Sequence, residues 1–147
     1  MQVKFTKEQY LTLMKMVYLG NWMANSSRVN DQLEDYEKME DYIFSFGKEF
    51  GFSEFVDDEK ADERKFFPTR MFEENTEVME IIDDYDNETF WQEFPDRLGE
   101  RDFVREYGEE KIEQMDDKER FTLRCRFMDK WGEEMEDSGI ERLEIKK

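Results

Sequence analysis

Residues 6–25 read TKEQYLTLMKMVYLGNWMAN, and this stretch decides the fold. Thr6 followed three residues later by Gln9 is the pattern of a capping box, in which two side chains satisfy the first free backbone N–H groups of a helix. On a helical wheel Leu13, Val17, Tyr10, Met14, Tyr18, Leu11 and Trp22 share one half of the cylinder, and Leu19, Met23 and Met16 lie on the other. A helix apolar nearly all round is normally enclosed by its neighbours. A bundle with this helix at its centre is therefore expected. Asn21, Asn25 and Arg28 continue the strip begun by Tyr10, Met14 and Val17. Either the helix emerges into water after Gly20, or two amides enter the core and need partners.

Outward from that helix, the chain reads as all-α. It has 147 residues, two prolines, seven glycines and 16% aromatic side chains, which argues against disorder and for one helical domain over residues 1–147. Asp31 is expected to cap a second helix running to about Phe50 and stopped by Gly51, with Glu40 inside its apolar arc. A carboxylate there must reach out, pair or take a proton. Residues 52–72 read as a long loop with one short helix, Phe66-Phe67-Pro68 packing on the bundle. Asn75 is expected to cap a third helix with Val78, Ile81, Ile82 and Tyr85 inward. Asn87 is expected to start the next, which Pro95 should kink or split. Arg97, Arg101 and Arg105 recur every fourth residue and suit exposed pairing with neighbouring acids. GEEKIEQM is a short helical piece. Asp116 or Asp117 then caps a last helix to about Asp137, ended by Gly139, with Phe121, Cys125, Phe127, Met128, Trp131 and Met135 on its apolar arc and Arg124 in the middle of it. About five helices result. MQVKF and IERLEIKK each alternate, so a small two-stranded ribbon joining the termini is expected.

Charge bounds the partners. The formal charge is −18, and residues 31–63 carry thirteen acids against three bases, residues 73–88 eight acids and no base. Such a surface repels phosphates, so direct nucleic-acid or anionic-membrane binding is disfavoured and a basic protein surface is favoured. The candidate acidic face comprises Glu34, Asp35, Glu37, Asp41, Glu77, Glu80, Asp83 and Asp84. The commoner role of such acidity is solubility alone.

The absence of histidine excludes Ser-His-Asp and Cys-His machinery, HExxH zinc sites and most first-row metal sites. Neither GxxxxGK[ST] nor GxGxxG occurs. The lone Cys125 reads as inert packing and fits a reducing compartment. No apolar h-region precedes Thr6, and the longest apolar run contains Lys15, so a cytoplasmic protein is expected. No catalytic residue and no cofactor are implied.

The polar residues that interrupt apolar arcs are Asn21, Asn25, Glu40, Arg101 and Arg124. They can form a buried register-fixing salt bridge, such as Glu40 with Arg124, or a recognition pocket with Trp22 or Trp131 as its apolar wall. LTLMKMVYLGNWMANSSR (residues 11–28) and YDNETFWQEFPDRLGERDF (residues 85–103) resemble a group of small bacterial proteins of unassigned function, although Pro95 departs from that pattern. The resemblance implies a compact helical domain and no activity. The first expectation for function is thus a non-enzymatic module engaging a basic protein, in its strongest form imitating DNA to block a nucleic-acid-binding protein. The alternative is a magnesium-dependent helical hydrolase of a phosphate compound, with acids at Glu37, Glu40, Glu80 and Asp83 around the cation. A subunit of a homodimer is a third option.

Overall fold

The computed structural model describes residues 2–58 and 66–144. It is mostly helical, with six helices and one small antiparallel sheet among the described residues. Two compact units divide the chain, residues 1–83 and 84–147, and each is described by itself.

In the first unit, α1 spans Lys7–Asn25 and opens with the expected capping box: the Gln9 N–H donates to Thr6 Oγ1 and the Thr6 N–H to Gln9 Oε1. A turn at 26–33 reverses the chain, held by Arg28, which donates from Nε to the Ala24 carbonyl and pairs with Asp31 at 2.7 Å. Asp31 therefore closes the turn rather than capping α2 (Glu34–Ser45), whose N-cap is Leu33. The helix ends at Phe46, and the turns that follow finish at Gly51, whose φ of +79° suits glycine. A 3-10 turn at Ser53–Phe55 leads into β1 (Val56–Asp57), which pairs antiparallel with β2 (Phe67–Pro68), Val56 opposite Pro68. Thr69 caps α3 (Arg70–Asn75), its Oγ1 accepting from the Phe72 N–H.

Tyr10, Met14, Phe44, Phe52, Val56, Phe72 and Val78 form this unit's core. Phe72 sits at its middle, edge-on to Phe44 at 5.2 Å and to Tyr18 at 5.4 Å. Tyr10 stacks on Phe50 and donates its hydroxyl to the Ile43 carbonyl, which ties α1 to α2. Gly47 is buried here, and a Cβ on it would lie 2.5 Å from Val56 Cγ2. The helix α1 is thus central to this core, but one strip only is enclosed. Met16 and Met23, on the opposite side from Tyr10 and Met14, are 64% and 52% exposed. Long unbranched thioethers tolerate that exposure, and an all-round apolar wheel overstated the burial.

The boundary between the units falls inside α4 (Val78–Tyr107). Three expectations are corrected along it. Asn75 ends α3 instead of capping the following helix. Asn87 lies in mid-helix, accepting from the Trp91 indole at 3.1 Å, and starts nothing. Pro95 does not split the helix, because one lost backbone bond is outweighed where the later turns are packed. Val78 and Ile82 are buried as expected, whereas Ile81 and Tyr85 are exposed.

The second unit sets the later part of α4 antiparallel to α6 (Asp117–Ser138), with α5 (Glu109–Gln114) between them in the chain. Asp116 caps α6, accepting from the N–H groups of Lys118 and Glu119, and Gly139 at φ +54° ends it. The two helices meet backbone to backbone at Gly99, where a Cβ would lie 2.7 Å from Met128 Cα. Phe103, Met115 and Met135 are buried, Cys125 is free and half-buried, and Phe121 is 69% exposed against expectation.

The ribbon expected between the termini is also corrected. Residues 2–6 form no strand, Ile145 lies outside the described residues, and the sheet is the β1–β2 pair instead. No helix among the described residues is long and apolar enough to cross a membrane.

Candidate functional site

The last two turns of α1 and the start of α2 border an open cavity of about 500 Å³ in the first unit, lined by Tyr18, Asn21, Trp22 and Asn25 from α1, Glu37 and Glu40 from α2, and Phe67 and Pro68 from β2. Its position follows from the chain reversal at 26–33, which lays α2 back along α1. The β2 wall is held in place by Asp41, whose Oδ1 accepts from the Phe66 N–H at 2.8 Å.

A relay of amides forms one side. Leu33 N–H donates to Asn25 Oδ1 at 2.7 Å, Asn25 Nδ2 donates to Asn21 Oδ1 at 2.8 Å, and Asn21 Nδ2 donates to Glu40 Oε2 at 2.8 Å. Glu40 is 3% exposed. The Asn21 and Asn25 side chains are thus half-buried and hydrogen-bonded at the margin of the core, and the carboxylate that interrupts the α2 arc is met by an amide donor. Tyr18 donates its hydroxyl to Glu73 at 2.8 Å. Burial first, then that hydrogen bond and the charges of Glu73 and Glu40, push its phenol well above the usual tyrosine range. Tyr18 is thus a fixed donor. Trp22 is half-buried and supplies an aromatic wall with Phe67.

Arg101 and Arg124 belong to the second unit. Arg101 pairs with Asp102 at 2.8 Å and lies over the Trp131 ring, 5.6 Å from its centroid. The Trp131 indole donates to the other oxygen of Asp102 at 2.9 Å. The hydrogen bond from Arg101, then the one from Trp131, hold the Asp102 carboxyl below its usual range against the opposing effect of burial. Arg124 is paired with Glu100. The expected partnership of Glu40 with Arg124 is corrected accordingly: Asn21 bonds Glu40, and Arg124 has its own acid. Both guanidiniums are substantially exposed, since a long side chain carries its charge outward even from within an apolar arc.

Of the acids expected to form a face, Glu34 pairs with Lys38 and Glu77 with Lys15, at 2.6 Å and 2.5 Å. The hydrogen bond from Lys15 comes first among the influences that lower the Glu77 carboxyl below its usual range. Asp41 is committed to Phe66, and Glu37 lines the cavity. Asp35, Glu80, Asp83 and Asp84 are exposed, the last three on the strip of α4 opposite Val78 and Ile82. The acids are thus distributed among several tasks. Among the described residues no three carboxylates or thiols are grouped so as to hold a metal ion.

Tyr18, Gln32, Phe67 and Pro68 line the cavity without having been assigned to a pocket from the sequence, although Phe67 and Pro68 were expected to pack on the bundle. Tyr18 reads there as an ordinary apolar position, and a two-residue strand leaves no periodicity from which to place Phe67. Carboxylates, amides and aromatic walls together suit a ligand that carries positive charge and N–H donors. Comparison of the chain with protein-family models, with curated proteins and with solved structures found no match.

Proposed function

We propose that this protein is a non-enzymatic binding module that engages a basic protein surface. The observation that carries the reading is the cavity between α1 and α2, whose described lining contains two carboxylates, Glu37 and Glu40, and no basic side chain. Tyr18, bonded to Glu73, and Glu40, bonded by Asn21, are fixed in the walls, and Glu37 is the lining carboxylate that makes no ion pair among the described residues. Around it the formal charge of −18 supplies a field that draws in cationic partners and speeds their encounter. Asp35, Glu80, Asp83 and Asp84 are the exposed acids of the candidate face that no ion pair engages among the described residues. In the strongest form of the reading these charges imitate the phosphates of DNA and occupy a nucleic-acid-binding protein.

Titration of the chain with a lysine- and arginine-rich polypeptide at salt from roughly 0.05 M to roughly 0.5 M tests this, because screening shortens the reach of charge over that range. Binding that weakens steadily with salt, and weakens further when Asp35, Glu80, Asp83 and Asp84 are changed together to Asn or Gln, is the expected result. Affinity indifferent to salt, or no binding at low salt, overturns it.

A further inference from the structure

We infer that the α1–α2 cavity is a receptor for a single guanidinium group, the side chain of an arginine presented by the basic partner. This deepens the reading above and rests on it. Three features of the cavity point to that chemistry. Its volume of about 500 Å³ falls within the roughly 300–1,000 Å³ of small-ligand sites, ample for one long side chain. Trp22, Tyr18 and Phe67 line it, and aromatic side chains are the ones that pack against a flat cation and the methylenes behind it. Its polar lining mixes amides with two carboxylates, Glu37 and Glu40, and holds no basic side chain among the described residues. Glu37 is half-buried on the α2 side and makes no ion pair among the described residues. Glu40 is already held by Asn21, so the receptor's charge is assigned to Glu37. A planar fork of N–H donors that also stacks on aromatic faces matches such a lining better than the compact, strongly hydrated ammonium of lysine.

The test uses N-acetyl-arginine amide as the probe, with N-acetyl-lysine amide and the neutral, nearly isosteric N-acetyl-citrulline amide as controls. The indole N–H resonance of Trp22, assigned with Trp22→Phe, reports occupancy. The arginine amide is expected to move that resonance saturably, the lysine amide more weakly and the citrulline amide not at all. Glu37→Gln is expected to weaken the arginine amide by about threefold to tenfold, the range of a partly exposed charge pair assisted by an aromatic face. Trp22→Phe, which keeps a ring, should retain more affinity than Trp22→Ala when both, lacking the indole, are titrated by calorimetry, and unchanged far-UV dichroism shows that each variant is folded. An equal response to citrulline, or unchanged affinity in Glu37→Gln, overturns the inference.

An arginine-rich peptide in the same titration separates the two levels of the argument and the two sources of the ligand. A peptide that binds salt-sensitively while the Trp22 resonance stays still removes the receptor and leaves the wider reading intact. Failure of every cationic probe at low salt removes both. Free arginine amide binding as tightly as the same residue within the peptide shows a small-molecule site and overturns the assignment to a protein side chain.

Discussion

Alanine placed separately at the three glycines inside long helices should give opposite outcomes. Gly20 lies in α1 and Gly132 in α6, and nothing stands within 4 Å of a Cβ added at either. There the substitution only removes glycine's excess backbone freedom, so each variant should gain about 0.5–1 kcal/mol. At Gly99 the added Cβ would lie 2.7 Å from both Cα and N of Met128 and 2.9 Å from the Phe127 carbonyl carbon. These are backbone atoms of α6 and cannot rotate aside. Carbon atoms rest about 3.5–4 Å apart, so α4 and α6 must separate locally by roughly 1 Å. That shift loosens the Phe103–Phe127 contact and strains the bond from Trp131 to Asp102. Overpacking of this kind costs about 1–3 kcal/mol, and a helix-propensity gain of up to about 1 kcal/mol offsets part of it. Gly99→Ala should therefore gain nothing and lose up to about 2 kcal/mol net. Urea unfolding followed by far-UV dichroism and by tryptophan fluorescence measures all three, compared by midpoint at constant slope. A Gly99→Ala midpoint raised as much as those of Gly20→Ala and Gly132→Ala would refute the close approach of the two helices.

Phe72 is fully buried among rings, so Phe72→Ala should cost about 3–5 kcal/mol, while Phe121→Ala, at an exposed site, should stay within about 0.5 kcal/mol by the same urea assay. Asn25→Ala removes the acceptor for the Leu33 N–H and the donor to Asn21, and should lower stability by about 1 kcal/mol with a loss of amide protection at the start of α2, read by hydrogen exchange. Burial, with the charge of Glu49 adding to it, pushes the Tyr10 phenol from 10.0 up to about 12. The unfolded chain releases that proton first, so stability is full below about pH 10 and falls as pH rises toward about 12. Tyr18 shifts in the same direction, and the double variant Tyr10→Phe, Tyr18→Phe should flatten this alkaline decline in pH-dependent melts. A decline of unchanged steepness would assign it to other groups.

The elements legible in the sequence are those whose signals are local. Thr6 with Gln9 marks the start of α1, and Asp116 with Gly139 brackets α6, because caps depend on neighbours three or four residues away. The errors lie where long-range packing overrides such signals. Asn75, Asn87 and Pro95 each look like a boundary, yet α4 continues past the last two; Pro95, Gly99 and Phe103 are buried in the second unit and hold the later turns, whereas no residue from 83 to 94 is buried and Asn87 is bonded within its own helix by the Trp91 indole. The β1–β2 pair, two residues per strand, is too short to leave an alternating pattern. Within the candidate site, Asn21, Asn25 and Glu40 stand out because they break apolar arcs, and their side chains do meet. Arg101 and Arg124 break arcs equally well, but a wheel does not show how far a long stem carries its charge from the axis. Phe67 and Pro68 reach the cavity through a tertiary bond from Phe66 to Asp41, which no local pattern encodes.

The start of α2 has an implication for the order of assembly. Leu33 offers no side-chain acceptor, and the group that receives its N–H is Asn25, a residue of another helix. The first helix carries its own initiation signal, whereas the second borrows one across the reversal of the chain. Since the opening turn is the unfavourable step of helix growth, residues 34–45 gain a nucleus once the end of α1 is formed and in place. Formation of the cavity and formation of α2 are then a single event, templated by the helix that precedes it.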